Sequence, residues 1–317
     1  MKRYLIKVIL LFIPIFIFGI ALELLLQQVP NDYTLKKKYL DKHASEIETL
    51  ILGNSHAYYA INPEYFNVKT FNVAMRSQSL DYDYEIFKKY KNNFVNLKAI
   101  ILPISYPSFW GRLSAKQGAS FIINNYKMYY GFNSSPLAPF HLEIFNRPLE
   151  VNIRRINKYY VDKRSPQFSE INGWGRKDFK KVKYTLAESG EVGANQQTFN
   201  DINSLRLSDI YKDNIKILNS ILDWSKQNGV EVILFTAPAH ESYRNNLNPD
   251  QLNKTIETAE MFASKHDNCS YYNFLYDSRF KPVDFRDAHH LSIKGSHKFS
   301  KIFTKKIGYF KEVVLSD

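Results

Sequence analysis

The stretch Leu50-Ile51-Leu52-Gly53-Asn54-Ser55-His56 sets the fold class, because an unbroken apolar run passes here into a short polar turn. A continuous apolar run is typical of a strand that is covered on both faces of a parallel sheet. Gly53 allows a sharp exit from such a strand, and Asn54 tolerates turn geometry. We therefore expect Ser55 at the carboxyl end of a strand, which is where open α/β sheets place their functional sites.

A second stretch reads Asp287-Ala288-His289-His290 and places a carboxylate three residues before an imidazole. A serine at a strand end is, taken alone, more often a helix cap than a nucleophile. Together with a distant aspartate and histidine, it completes the set of groups that activates a serine. The two stretches predict a catalytic site formed by Ser55, Asp287 and His290, with His56 at the pocket rim or in solvent. Because adjacent residues of an extended loop point opposite ways, we expect His289 to face away from the pocket that holds His290.

Between these stretches, short apolar runs alternate with amphipathic ones, which predicts a parallel sheet with connecting helices. The strands are expected at residues 47–52, 68–74, 97–104, 230–235 and 270–275. The helices are expected at residues 80–94, 209–226, 250–266 and 294–310, and a loop at 285–292. The predicted fold class is therefore α/β.

The regular alternation stops between about residues 107 and 200, where aromatic, asparagine and basic residues predominate. Structureless loops of this length are uncommon in compact domains, so we expect a folded insertion over the carboxyl edge of the sheet. Two roles fit its composition: a cap that binds substrate, or extra scaffold that includes an oligomer contact. The sequence leaves both open.

The N-terminus combines basic residues with a long apolar run. Lys2, Arg3 and Lys7 precede the uncharged segment at 8–22, and apolar residues continue past Glu23. Spanning a bilayer takes roughly 20 mostly apolar residues. Because the run does not end in the small residues of a cleavage site, an uncleaved signal anchor is favoured over a cleaved signal peptide and over a buried helix.

The flanking charges favour a cytoplasmic N-terminus, although Lys36, Lys37 and Lys38 on the other side oppose this orientation. The expected organisation is a single-pass transmembrane anchor at residues 1–28, a connecting segment at 29–46, and an α/β domain at 47–317 that contains the insertion. We expect this domain outside the cytoplasm, in the periplasm or at the cell surface.

The composition narrows the set of partners. The 317 residues carry a net charge of +12 and a pI of about 9.4, which suits nucleic acid, anionic lipid or an acidic glycan. No zinc-finger spacing, aromatic RNA-binding signature or helix-turn-helix pattern is present, so no nucleic-acid partner is expected. The single cysteine, Cys269, excludes an internal disulfide and says nothing firm about the compartment.

A metal site is the main alternative chemistry. Asp41-Lys42-His43, set beside Gly53-Asn54-Ser55-His56, is similar to the Asp-x-His and Gly-Asn-His motifs of binuclear metallophosphoesterases. Here, however, a serine separates the asparagine from the histidine, and Asp41 and His43 lie in a lysine-rich segment rather than after a strand. A charged surface helix is the favoured interpretation, and neither a metal nor another cofactor is expected.

The order Ser…Asp…His, with its flanking residues, resembles the SGNH (GDSL-type) hydrolase superfamily. The family's Gly-Asp-Ser block matches Gly53-Asn54-Ser55, and its Asp-x-x-His block matches Asp287-Ala288-His289-His290. The resemblance covers about residues 47–307 without the insertion. It implies a flavodoxin-like three-layer sandwich in which Ser55 is the nucleophile, His290 the general base and Asp287 the group that orients the base.

The chain departs from the family pattern in the oxyanion site. Asn54 replaces the usual aspartate, and Ser77 stands near the place of the second block's glycine, whose backbone N–H binds the oxyanion. The third block is absent, and Ser105 follows the third predicted strand instead. The resemblance thus implies the N–H groups of Ser55 and Ser77 as donors and leaves a third donor unassigned. Ser105 and His240 are further candidates for substrate contact, although a structural role fits His240 equally well.

Membrane-anchored members of this superfamily include the alginate O-acetyltransferases and the D-alanyl transfer protein of teichoic-acid synthesis, which act outside the membrane beside a multipass acyltransferase. Resemblance to this subgroup implies an O-acyltransferase that acts on a cell-envelope glycan or exopolysaccharide, with a multipass membrane acyltransferase as partner. Two alternatives stay open: a carbohydrate esterase with the same triad, and a non-catalytic glycan-binding or scaffold protein on the same fold.

Overall fold

The structure, a computed structural model, describes residues 1–115, 118–132, 142–166, 168–176 and 184–313, apart from the side chains of residues 2, 5 and 8. The chain forms two compact units. One unit comprises Met1–Lys37 with Gln117–Phe168, and the other comprises Lys38–Lys116 with Ser169–Asp317. The segment predicted as one insertion at 107–200 is therefore divided, because its central part belongs with the N-terminal helix and its two ends belong with the sheet.

The second unit is built on a parallel sheet of five strands. These are β1 (Thr49–Ile51), β2 (Thr70–Asn72), β3 (Ala99–Pro103), β4 (Glu231–Thr236) and β5 (Cys269–Asn273). Their order in the sheet is β2-β1-β3-β4-β5, which is the flavodoxin-like arrangement. The predicted α/β class and its five strands are therefore confirmed.

The segment predicted as a loop at 285–292 contains a short antiparallel pair instead, so that prediction is wrong. Its strands are β6 (Phe285–Asp287) and β7 (His290–Leu291), and Asp287 pairs with His290 across a local irregularity. The two strands are too short for an alternating hydrophobic pattern to show the pairing.

Helices connect the strands and make up most of the rest of the described chain. In chain order they are α1 (Lys2–Gln28), α2 (Asp32–His43), α3 (Ser55–Ala60), α4 (Leu80–Tyr90), α5 (Ser120–Asn125), α6 (Glu143–Asn146), α7 (Leu149–Ile156), α8 (Leu186–Gln197), α9 (Leu205–Gln227), α10 (Glu241–Arg244), α11 (Pro249–Lys265) and α12 (Ile293–Lys306). Short π-helical segments continue α5 at Tyr126–Tyr130 and α7 at Asn157–Val161.

The sheet is buried on both faces, as its apolar runs predicted. Ile101 and Phe235 belong to a core cluster that includes Phe299 and Phe303 of α12. The intervening strand side chains, Ile100 and Leu102 in β3 and Val232 and Leu234 in β4, are equally inaccessible to solvent. Because successive side chains of a strand point to opposite faces, helices must cover both sides of this sheet.

The first unit is organised around α1. The segment Ile9–Gln28 is long and apolar enough to cross a membrane, by length and composition. Its exposed apolar side chains extend as far as Leu25, whereas Leu22 and Leu26 are buried. The apolar residues at the N-terminus therefore form one continuous helix, as a membrane anchor requires.

Candidate active site

The turn after β1 is fixed by a glycine that cannot be replaced without a clash. Gly53 has a φ of +114°, and a Cβ at this position would lie 2.2 Å from Cδ of Pro103. The backbone N–H of Gly53 donates to the buried carboxyl group of Asp83 at 2.6 Å. Asn54 then caps α3 by accepting the N–H of His56 at 3.0 Å. The chain therefore turns sharply and places Ser55 at the first position of α3.

The structure brings together the three residues that the two sequence stretches predicted. His290 Nε2 lies 2.8 Å from Ser55 Oγ. His290 Nδ1 lies 2.9 Å and 3.0 Å from the two carboxylate oxygens of Asp287. A carboxylate only accepts hydrogen bonds, so Nδ1 carries the proton, and the unprotonated Nε2 accepts the Ser55 hydroxyl. This is the tautomer that a general base requires.

Asp287 is held as an anion by its neighbours. Burial by itself would raise the pKa of its carboxyl group, but the adjacent His290 imidazole and the hydrogen bonds from it and from His289 lower the pKa below its usual range. The backbone N–H groups of His289 and His290 also donate to Asp287 Oδ1, at 3.2 and 3.0 Å. The aspartate thus fixes both the ring of His290 and the loop that carries it.

His289 lies beside His290 rather than pointing away from it, so the predicted separation of the two rings is wrong. Their ring centroids are 4.1 Å apart, and both residues line the same pocket. Burial, with the neighbouring His290, lowers the pKa of His289 to about 3. The Tyr243 ring stacks on His289 with 5.0 Å between centroids. The tight β6–β7 turn brings the two rings together, and the alternation of an extended loop does not apply to such a turn.

A second serine–histidine pair lies next to the first. His56 Nδ1 is 2.6 Å from Ser105 Oγ, and Asn54 Nδ2 donates to the same hydroxyl at 3.0 Å. The His56 ring also hydrogen-bonds to the backbone of His289 and stacks on His290 with 5.2 Å between centroids. Burial, with the nearby His290 and His289 imidazoles, lowers the pKa of His56 well below its usual range. His56 is therefore neutral, and it lines the pocket with its side chain partly exposed.

The backbone at Ser77 has a glycine-like conformation. Its φ is +60°, which few residues other than glycine, asparagine and aspartate adopt. Ser77 lines the same pocket as Ser55 and His290. The SGNH resemblance implies a glycine near this place with its N–H turned to an oxyanion, and the left-handed backbone of Ser77 is compatible with that role.

Ser55 and His290 open into a cavity of about 710 Å³. Its wall includes Trp110, Gln196, Gln197, Arg112 and Arg206, besides Ser55, Ser77, His56, His289 and His290. Arg112 pairs with Asp213 at 3.3 Å, and its buried Nε has no hydrogen-bond partner among the described residues. Such a cavity is large enough for a small molecule and combines apolar walls with polar groups.

Among the described residues that line this cavity, Asp83 is the only acidic one. Burial raises its pKa to about 7, although hydrogen bonds from Gln78 and from the Gly53 backbone act in the opposite direction. Because those two donors reach the same oxygen, Oδ1, at 2.5 and 2.6 Å, Asp83 supports the turn that carries Ser55.

Two other predicted contact residues lie elsewhere. Ser105 is buried and borders a separate cavity of about 20 Å³ together with His56 and His289. His240 caps α10 through Ser242, whose N–H lies 3.2 Å from its Nδ1, and its own N–H donates to Ala288 O at 2.8 Å. Neither Ser105 nor His240 lines the main cavity. Their geometry therefore supports positioning of the loop at 287–290 rather than substrate contact.

The metallophosphoesterase-like motif does not assemble. Asp41 accepts a hydrogen bond from Tyr90 at 2.6 Å, and His43 pairs with Glu46 at 2.7 Å. Within the described ranges, the side chains of histidine, cysteine, aspartate and glutamate that lie close enough to share a metal ion are those of Asp287, His289 and His290. Both nitrogens of His290 are already engaged in hydrogen bonds, which fits a triad better than a metal centre.

Sequence reasoning did not find the roles of His56, Ser105 and Asp83. The asparagine two residues before His56 was visible as a turn residue, but the contact with Ser105 joins the ends of two different strands. Asp83 is an acidic residue in the first turn of α4, a position that usually reflects the helix dipole, so its sequence position gives no sign of its contact with Gly53. Side chains at the ends of separate strands come together because those strands are neighbours in the sheet, and the local sequence does not show which strands are neighbours.

No family model and no curated protein matches this chain. Solved structures with a similar course include one from Streptococcus pneumonia designated a platelet activating factor, with 12% identity and a TM-score of 0.42 over 89% of this chain and 94% of that one. A GDSL-like lipase from Bacteroides thetaiotaomicron has 11% identity and a TM-score of 0.40, over 87% of this chain and 98% of that one. Likeness at these identities and TM-scores says nothing about activity.

Proposed function

We propose that this protein is a membrane-anchored serine enzyme that acts on ester bonds and transfers the acyl group to a hydroxyl of a cell-envelope glycan. The observation that carries the proposal is the hydrogen-bonded series from Ser55 Oγ through His290 to Asp287, with 2.8 Å and 2.9 Å between successive atoms. A serine in this series, open to a cavity, is the arrangement of an activated nucleophile.

In the proposed reaction, Ser55 Oγ attacks the carbonyl carbon of the ester while His290 Nε2 takes the hydroxyl proton. Asp287 stabilises the resulting imidazolium and keeps its orientation. The negative charge on the carbonyl oxygen is stabilised by the backbone N–H groups of Ser55 and Ser77. His290 then returns the proton to the leaving alcohol, and an acyl group remains on Ser55.

The acyl group leaves when a hydroxyl oxygen attacks it and gives its proton to His290. In the acyltransferase this hydroxyl belongs to a glycan, and in the alternative esterase it belongs to water. The cavity of about 710 Å³ supports the first reaction, since a short acyl group fills little of it. Its wall offers hydrogen-bonding groups from Gln196, Gln197, Arg112 and Arg206 for an anionic or hydroxyl-rich acceptor.

The contacts of α1 support an anchor that stays attached. Leu26 is fully buried, Val29 is 1% exposed, and the Glu23 carboxylate accepts two backbone N–H groups from α6. Removal of α1 as a signal peptide would also remove Glu23 and Leu26, and the N–H groups of Glu143 and Ile144 would lose this partner. We therefore propose a single-pass topology with the catalytic unit outside the cytoplasm, where a multipass acyltransferase could deliver the acyl group.

A serine-directed fluorophosphonate probe tests the nucleophile. The full-length protein in detergent should be labelled, Ser55→Ala should abolish labelling, and Ser105→Ala should retain it. Absence of labelling in a folded wild-type protein would overturn the proposal and favour the non-catalytic scaffold.

The acceptor is tested separately with 4-nitrophenyl acetate as the donor. Release of nitrophenol should be accompanied by acetylated oligosaccharide, detected by mass spectrometry, when an envelope oligosaccharide is present. If nitrophenol is released with acetate as the only acyl product for every oligosaccharide tested, the esterase alternative replaces acyl transfer.

A further inference from the structure

The first unit carries a row of apolar side chains that its own core does not cover. Phe145, Leu149 and Ile153 are 62%, 52% and 41% exposed. They are spaced four residues apart across α6 and α7, and the spacing within α7 places Leu149 and Ile153 on one helix face. We call this set the apolar row. Clustered exposed apolar residues mark an interaction site more often than isolated ones do.

The apolar row is tied to α1 by polar contacts in the same unit. The Glu23 carboxylate of α1 accepts the backbone N–H groups of Glu143 at 3.1 Å and Ile144 at 2.9 Å. Further along, the Tyr160 hydroxyl donates to the carbonyl oxygen of Leu25 at 3.0 Å. The start of α6 and the π-helical segment that follows α7 are therefore both held beside the C-terminal part of α1.

The length of α1 places these contacts at a defined depth in the bilayer that it would span. The apolar part of α1, Ile9–Gln28, has 20 residues and extends over roughly 30 Å at about 1.5 Å per residue. The hydrocarbon core of a bilayer is about 30 Å thick. A membrane that covers this part of α1 therefore ends close to Gln28, and Glu23, which binds the start of α6, lies fewer than two helical turns inside that end.

The charges around the apolar row suit the boundary between lipid and water. Arg154 and Lys158 are exposed on the same segment, and Arg154 pairs with Glu150 at 3.3 Å. The Arg147 guanidinium lies over the Phe121 ring, 4.9 Å from its centroid, and Phe121 is itself 37% exposed. Apolar side chains flanked by arginine and lysine are typical of helices that lie in the membrane interface.

We infer that the apolar row lies in the outer interface of the bilayer that α1 spans, with Phe145, Leu149 and Ile153 inserted among the lipids. This inference rests on the proposed anchor. The central part of the insertion then binds the membrane surface beside the outer end of α1.

Lipid contact is measurable with single-cysteine variants, because Cys269 is the only cysteine in the chain. In a Cys269→Ala background, the full-length protein receives one cysteine at position 145, 149 or 153 and an environment-sensitive NBD label. Matched labels at positions 150 and 154 report the adjacent, charged side of α7, and a label at position 16 reports α1 itself. The proteins are placed in phosphatidylcholine–phosphatidylglycerol vesicles with and without bromine-labelled acyl chains.

We expect bromolipid to quench the labels at 145, 149 and 153 at least twofold more than those at 150 and 154, and to quench the label at 16 as well. Quenching at 16 with none at 145, 149 and 153 overturns the inference while the anchor stands. Absence of quenching at 16 overturns the anchor itself. If the row is protected from both bromolipid and aqueous iodide, a protein partner or a second copy covers it, and the inference also fails.

Discussion

The Ser55–His290 pair and the Ser105–His56 pair lie side by side, and each joins a serine hydroxyl to an imidazole within 2.8 Å. They differ in what completes them. His290 has the Asp287 carboxylate on its other nitrogen, whereas the His56 ring hydrogen-bonds to the backbone of His289. Ser55 opens into the cavity of about 710 Å³, whereas Ser105 borders one of about 20 Å³.

A serine–histidine contact therefore does not by itself make a nucleophile. A carboxylate stabilises an imidazolium, which a backbone carbonyl does only weakly. A cavity of about 20 Å³ holds at most a water molecule, so no ester can reach Ser105. We infer that Ser55–His290 performs the chemistry and that Ser105–His56 holds the loop of His289 and His290 in place.

Substitutions in the Ser55–His290 pair should reduce activity the most. Ser55→Ala and His290→Ala should each reduce turnover of 4-nitrophenyl acetate by about 10⁶-fold, and the double variant should lose little more, because such groups act as a unit. His289→Ala is the control and should keep most activity, since its imidazole does not contact Ser55 in this arrangement. An inactive His289→Ala protein beside an active His290→Ala protein would exchange the roles of the two histidines.

Asp287→Asn should cost less, about 10⁴-fold in kcat, because an amide can impose the wrong tautomer on His290 but leaves the nucleophile and the oxyanion donors in place. Initial rates with the same ester measure this effect. A loss as complete as that of Ser55→Ala, in a protein that is folded by circular dichroism, would show that the aspartate does more than orient the base.

Substitutions in the Ser105–His56 pair should lower kcat less, because this pair positions the loop of His289 and His290 and takes no part in the reaction itself. His56→Phe keeps a ring against His290 but removes both hydrogen bonds, and the resulting shift of the loop should lower kcat roughly 10- to 100-fold. Ser105→Ala removes one hydroxyl and should lower kcat only a few-fold. Labelling by fluorophosphonate should persist in both variants. If His56→Phe is as inactive as His290→Ala, the two pairs do not differ as we infer.

Asp83, which supports the turn before Ser55, should affect stability more than rate. The pKa of its carboxyl group is about 7 in the folded protein, against an ordinary value of 3.8. Between pH 3.8 and pH 7, the folded protein therefore keeps a proton on Asp83 that the unfolded chain has released. Stability should therefore fall as pH rises from about 4 to 7, by at most about 1.4 kcal/mol per pH unit.

Asp83→Asn keeps an oxygen for the N–H of Gly53 and cannot ionise, so its thermal unfolding in detergent should lack this fall. The comparison is made at pH 5, 6, 7 and 8 with the wild-type protein alongside. A melting-temperature difference between the two proteins that is the same at all four values would contradict the buried, protonated carboxyl group.

The sheet was predictable from the sequence, whereas the internal structure of the insertion was not, for a physical reason. Buried parallel strands are continuous apolar runs, and the five runs form five strands with small shifts at their ends. The insertion shows no comparable apolar pattern, because its helices are short and are held by polar contacts such as those of Glu23 with the start of α6. Contacts of this kind join residues more than a hundred positions apart and leave no local pattern.

Local sequence was enough to predict the strand that ends before Gly53, the apolar length of α1 and the residue types that the site needs. It also predicted Ser55, Asp287 and His290 as one site, and the structure brings their side chains together. Other features emerged only in the folded chain: the second pair of His56 and Ser105, the entry of His289 into the cavity and the burial of Asp83. These outcomes depend on which strand ends become neighbours, and a parallel sheet sets that order through long crossover connections.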